Sequence, residues 1–215
     1  GFPDVQGSID AAKTVVDAGA DIVEIGFPYS DPTMDGVIIQ ESGQKALERG
    51  LKRGDMFRIV EEVAKTGAAV VIMTYYNPIF VLGTETFAER VAEAGIDAVL
   101  TVDLPLEELG ELATPLAARG LGVVPLVAPT STPDRIARLE GLDAPFVYYI
   151  SLTGVTGTRA AAPVEPARLD LVRTASGAPV AVGFGIRTPD DARRFATIAD
   201  GVIVGRALVE RIASG

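Results

Sequence analysis

Short, uniformly apolar stretches recur along this chain, each followed by a longer amphipathic segment, with a repeat of roughly 25 to 30 residues. Continuous rather than alternating apolar character means a strand buried on both faces, as in a parallel sheet covered by helices. Seven such strands are expected: Asp21–Phe27, Ala68–Tyr75, Asp97–Asp103, Gly122–Ala128, Phe146–Leu152, Pro179–Ile186 and Gly201–Val204. Helices are expected between them, at Ser8–Ala18, Val37–Arg49 with Gly54–Lys65, Glu85–Ala94, Leu106–Arg119, Pro133–Leu142, Glu165–Ala175, Pro189–Thr197 and Ala207–Ala213. "STPDRIARL" and "RTPDDARRF" each supply a threonine N-cap with proline at the first helical position.

The units echo one another. "AGADIVEIG", "AGIDAVLTVD" and "IADGVIVG" each run from a helix end into an aspartate that opens a buried strand. An open doubly wound sheet and a closed eight-stranded barrel both satisfy this pattern. The barrel is favoured because no lone glycine-rich nucleotide fingerprint marks a first βα turn, and polar residues sit at the C-terminal ends of many strands. The expectation is an α/β fold, a parallel (β/α)8 TIM barrel of the phosphate-binding type, occupying residues 1–215 as a single domain. Seven strands leave it one short. The start at "GFPD" and the short final helix candidate in "ALVERIASG" suggest a barrel trimmed at both ends, without its first strand and the end of its last helix.

Composition narrows the chemistry. The chain has no cysteine and no histidine, so thiol nucleophiles, thiolate metal sites and the usual serine triads are excluded. Proton transfer then falls to a carboxylate, a lysine or a tyrosine. The four lysines, Lys13, Lys45, Lys52 and Lys65, lie in helical or polar stretches and leave a Schiff-base mechanism without a candidate. A net charge of −10 argues against nucleic acid or an anionic membrane as partner. No apolar run is long enough to cross a bilayer and no signal segment leads the chain, so a cytoplasmic location and no metal are expected.

Glu24 stands in the middle of the strand formed by Ile22, Val23, Ile25 and Phe27. A carboxylate there is either a core acid satisfied by backbone or tyrosine hydroxyls, or a functional acid whose pKa burial raises toward neutrality. Asp35 ends the adjoining loop "SDPTMDG", where aspartates also serve ordinary turns. Tyr75, Asp103, Tyr148 and Ser151 fall at other strand ends, and Asp103 could equally cap the next helix. "TGVTG" (153–157), "GFGI" (183–186) and "VGRA" (204–207) place glycine turns after three late strands. In a barrel these turns lie side by side, and their amides with the start of a last short helix form an anion cradle needing no cation.

Taken together, "VEIGFPYSDPTMDGVIIQ", "GVTGTR", "VGFGIRTPDDA" and "DGVIVGRALV" resemble the tryptophan synthase alpha chain family, in register from Gly1 to the end. The resemblance implies a barrel lyase of tryptophan biosynthesis. It would cleave indole-3-glycerol phosphate to indole and glyceraldehyde 3-phosphate, with no cofactor of its own, in an alpha2beta2 complex with a PLP-dependent beta chain. It makes Glu24 the acid/base and Asp35 the acceptor for the indole N–H. Thr156 becomes the lid residue that meets that aspartate. Gly157, Gly185 and Gly205 become phosphate turns, and Ile39, Tyr75, Leu100, Asp103, Tyr148 and Phe184 the indole pocket. Three departures stand out: Val37-Ile38 replaces the family's usual Pro-Thr, Leu152 replaces a frequent arginine, and Arg206 replaces a phosphate-binding serine. Arg206 could bind the phosphate by charge or swing outward. Another phosphate-binding barrel enzyme of aromatic or histidine biosynthesis, or a non-catalytic subunit that binds and activates a beta chain, remain alternatives.

Overall fold

The computed structural model describes residues 1–151, 164–183 and 185–214. Strands β1 (Ile22–Gly26), β2 (Ala69–Thr74), β3 (Ala98–Thr101) and β4 (Gly122–Val123) pair in that order, all parallel. A second parallel run follows in β5 (Leu126–Val127), β6 (Val147–Ile150), β7 (Val180–Gly183) and β8 (Gly201–Val202). The expected strand Gly122–Ala128 is thus divided into β4 and β5, because Pro125 has no N–H to give the ladder. The path is nevertheless continuous: Val124 N donates to Val99 O at 2.9 Å, and Tyr148 N donates to Pro125 O at 3.0 Å. One side of this kinked strand holds β3 and the other holds β6, so the two runs form a single wall.

Ten helices are described: α1 (Val5–Asp17), α2 (Val37–Glu48), α3 (Arg53–Ala64), α4 (Tyr76–Leu82), α5 (Thr84–Glu93), α6 (Gly110–Ala117), α7 (Pro133–Ala137), α8 (Pro166–Ser176), α9 (Pro189–Ala196) and α10 (Arg206–Ser214). Both threonine caps are in place: Thr132 Oγ1 accepts from Arg135 N, and Thr188 with Asp191 forms a reciprocal capping box. Helix α4 has no counterpart in the sequence reading. Its first amide, Tyr76 N, is held at 2.7 Å by Asp103 Oδ1 from beyond the end of β3, a cap 27 residues away that no local pattern could announce. The strand-opening aspartates also reach across strands. Asp97 Oδ2 accepts from Val70 N at 2.7 Å, and Asp200 Oδ2 accepts from Val180 N and Arg173 Nε, both at 2.8 Å. In two of the three echoed units, then, the aspartate holds an amide at the start of the preceding strand.

Alternation sorts the wall into two faces. Val23, Ile25, Val70, Ile72 and Val99 bury outward against the helices, continued around the wall by Val127, Val147, Tyr149, Val180 and Val182. Val71, Ala98, Leu100, Val124, Phe146 and Tyr148 form a separate inner cluster. Glu24 alternates with Val23 and Ile25 and pairs in register with Val71, which puts it on the inner face.

Candidate active site

Glu24 is the one carboxylate on the inner face of the described strands, and its surroundings explain its chemistry. Part of the side chain stays accessible to solvent, but the carboxylate is desolvated, and this raises its pKa to about 7. The nearby charge of Asp35 pushes in the same direction. The Tyr148 hydroxyl, buried in the inner cluster, has its own pKa raised by burial and then by Glu24. An acid half-protonated near neutrality can both give and take a proton.

Asp35 closes the loop between β1 and α2. Burial raises its pKa, while a hydrogen bond from the Tyr75 side chain works against that rise. Tyr75 follows β2 at the start of α4, only 4% exposed, with its own pKa pushed up to about 12, first by burial. Its hydroxyl accepts Met34 N at 2.9 Å and its ring lies 5.0 Å from that of Tyr29, so one tyrosine ties the β2 end to the aspartate loop.

The other expected residues divide. Leu100 lies in the inner cluster beside Tyr148, and Ile39 is half-buried on the first turn of α2. Asp103 is exposed and engaged as the α4 cap. Gly185 has φ +82°, a left-handed conformation that favours glycine, and Gly205 is the N-cap position of α10, its carbonyl accepting from Leu208 and Val209. Arg206 turns along the helix: its Nε donates to Glu210 Oε1 at 2.7 Å. Thr156, Gly157 and Phe184 lie outside the described residues, as does Leu152. Among the described residues no three acidic side chains converge to hold a metal, and no helix is long and apolar enough to cross a membrane.

Two residues of consequence were hidden in the sequence. Gly183 stands in "GFGI" as though it were part of an anion turn, yet a Cβ there would lie 2.2 Å from the Tyr148 hydroxyl, so it is the absence of a side chain that makes room for the tyrosine. Gln40 ends the first quoted motif without any chemical signature. Its carboxamide donates to Pro32 O at 3.1 Å and to Asp35 O at 2.8 Å.

A parallel barrel wall with an inward acid of near-neutral pKa, a second carboxylate nearby and glycines after the late strands places the chain in the class of TIM-barrel proteins. The particular family follows from comparison. The tryptophan synthase alpha chain family model matches residues 1–215, and the chain belongs to that family. Tryptophan synthase alpha chains of Dechloromonas aromatica and a Synechocystis species are 43% and 44% identical, covering 99% and 100% of this chain and 80% and 83% of their own lengths. A tryptophan synthase structure from Mycobacterium tuberculosis superposes with a TM-score of 0.92 at 40% identity, over 100% of this chain and 83% of that one. Membership makes the chain a carbon–carbon lyase of tryptophan biosynthesis, the alpha subunit type that cleaves indole-3-glycerol phosphate.

Proposed function

We propose that Glu24 carries the proton in this cleavage and that Asp35 holds the indole N–H. Protonated Glu24 delivers its proton to the ring carbon bearing the glycerol phosphate chain, which turns the ring into an iminium electron sink. The bond from that carbon to the side chain then breaks and its electron pair returns to the ring. The adjacent side-chain hydroxyl becomes the aldehyde and gives up its proton to the Glu24 carboxylate, which resets the acid. Asp35 stabilises the positive charge that develops at the ring nitrogen. The observation that carries this reading is the placement of Glu24 as the one carboxylate on the inner face of the described strands, where burial and then Asp35 raise its pKa.

Around that pair, Tyr75, Leu100, Tyr148, Ile39, Asp103 and Phe184 are the residues assigned to the indole pocket. The phosphate falls to the amides at Gly157, Gly185 and Gly205 and to the free first turn of α10. Arg206 is left out of that cradle, since Glu210 already holds it. Thr156 is the residue that would meet Asp35 on closure. No organic cofactor is needed in this chain, and PLP belongs to a beta chain in an alpha2beta2 complex in the cytoplasm. The large exposed apolar side chains Met34, Val37, Phe80 and Val81 lie in the segments that follow β1 and β2, and exposed apolar side chains of this kind suit a protein partner.

The test is indole release from indole-3-glycerol phosphate with saturating beta chain. Glu24→Gln should abolish it while leaving substrate binding largely intact, and kcat/KM of the parent should fall as pH rises through about 7, where the acid form is lost. Asp35→Asn should move that limb to lower pH, because the charge that raises Glu24 is gone. A Glu24→Gln enzyme turning over near the parent rate removes Glu24 from the reaction.

A further inference from the structure

The loop that presents Asp35 is held by a small set of bonds, and one side chain makes two of them. Gln40 sits on the first turn of α2, just beyond the Gly36 N-cap, and reaches back over the loop. A primary amide has two N–H donors, and here each meets a different carbonyl, Pro32 O at 3.1 Å and Asp35 O at 2.8 Å. The orientation is fixed by chemistry, since turning the amide over would set its oxygen against two carbonyl oxygens. Pro32 O also accepts Asp35 N at 3.2 Å, and Met34 N is taken by the Tyr75 hydroxyl at 2.9 Å. The turn from Pro32 to Asp35 is therefore closed twice from within α2 and once from the end of β2.

We propose that Gln40 is a positioning residue for the cleavage reaction, locking the backbone of Asp35 so that its carboxylate stands beside Glu24 before substrate arrives. This rests on the reading of Asp35 as the indole N–H acceptor. The Asp35 carbonyl and carboxylate share one Cα. Freeing the carbonyl releases the peptide plane, and a rotation of a few tens of degrees there carries the carboxylate about an ångström or more, enough to weaken a preorganised charge strongly. The side-chain amide of Gln40 is spent on two loop carbonyls. Its effect passes wholly through Asp35, and that makes it separable from a general contribution to folding.

Gln40→Met keeps the length and packing of the side chain and removes both donors. In steady-state indole release with saturating beta chain, kcat should fall about tenfold with KM changed less than about twofold, the pattern of an interaction that matters in the transition state. The deciding arm is the Asp35→Asn background. There the same Gln40→Met change should lower kcat by less than about twofold further, since two residues acting through one group are not additive. Equal losses in the two backgrounds would overturn the proposal and mark Gln40 as merely structural, as would a loss confined to KM. Should Gln40→Met fail to fold, Gln40→Glu, which keeps the shape but sets an acceptor against two carbonyls, should give the same loss of kcat and the same non-additivity. An Asp35→Asn enzyme as active as the parent would instead bring down the reading of Asp35, an outcome visible before Gln40 is touched.

Discussion

Replacing Glu24 by glutamine should make the protein more stable in alkali than in mild acid relative to the parent, at the same time as it removes activity. The sign follows from the shift. In the folded chain the Glu24 pKa is raised from 4.5 to about 7, so the folded state binds its proton more tightly than the unfolded state does. Below the unfolded value both states are protonated and the group costs nothing. As pH rises toward the folded value the unfolded chain ionises first, and stability is lost until both forms are ionised. For that pair of values the penalty is about 1 kcal/mol near pH 5.5 and about 3 kcal/mol near pH 8.5. Glutamine does not titrate, so whatever its own fit in the site, that cost is the same at both pH values and cancels. The advantage of Glu24→Gln over the parent should therefore grow by about 2 kcal/mol between those two pH values, with part of it owed to the Asp35 charge. Urea unfolding of parent and variant at both pH values, with m compared to confirm a common transition, reads it directly. A difference that stays flat with pH would show that Glu24 titrates in the folded chain as it does unfolded, and the case for a tuned acid would fall with it.

Gly183→Ala should be strongly deleterious for its size, because its methyl would sit 2.2 Å from the Tyr148 hydroxyl; overpacking of this kind costs about 1 to 3 kcal/mol, and Tyr148→Val in the same chain should restore most of the stability in a thermal melt without restoring full activity. Arg206→Ala should change KM for indole-3-glycerol phosphate by less than about twofold and stability by less than about 0.5 kcal/mol, since its partner is Glu210 on the same helix face; a large rise in KM would return Arg206 to the phosphate site.

Glu24 was legible because a single carboxylate in a strand of isoleucine and valine has few bland explanations, and the absence of cysteine and histidine left carboxylates as the leading proton carriers. The threonine caps were legible because a cap and its helix are neighbours in the chain. Asp103 was expected in the site or as a cap on the helix that follows it; it instead closes α4, which precedes it and was nowhere expected, because its partner is an amide 27 residues earlier. Gln40 was passed over since a glutamine on a helix has no signature; only the fold of the preceding loop brings two carbonyls under its amide.

By itself, then, the sequence determined the class of fold, the order of the strands and the presence of a lone carboxylate in a buried strand, since apolar periodicity, local caps and residue chemistry are written along the chain. Tertiary structure alone decided the pKa of that acid, the space left at Gly183 for Tyr148, the cap on α4 and the turning of Arg206 toward Glu210. Those depend on distances across the barrel between residues far apart in sequence, and desolvation and steric fit exist only once the strands have closed around them.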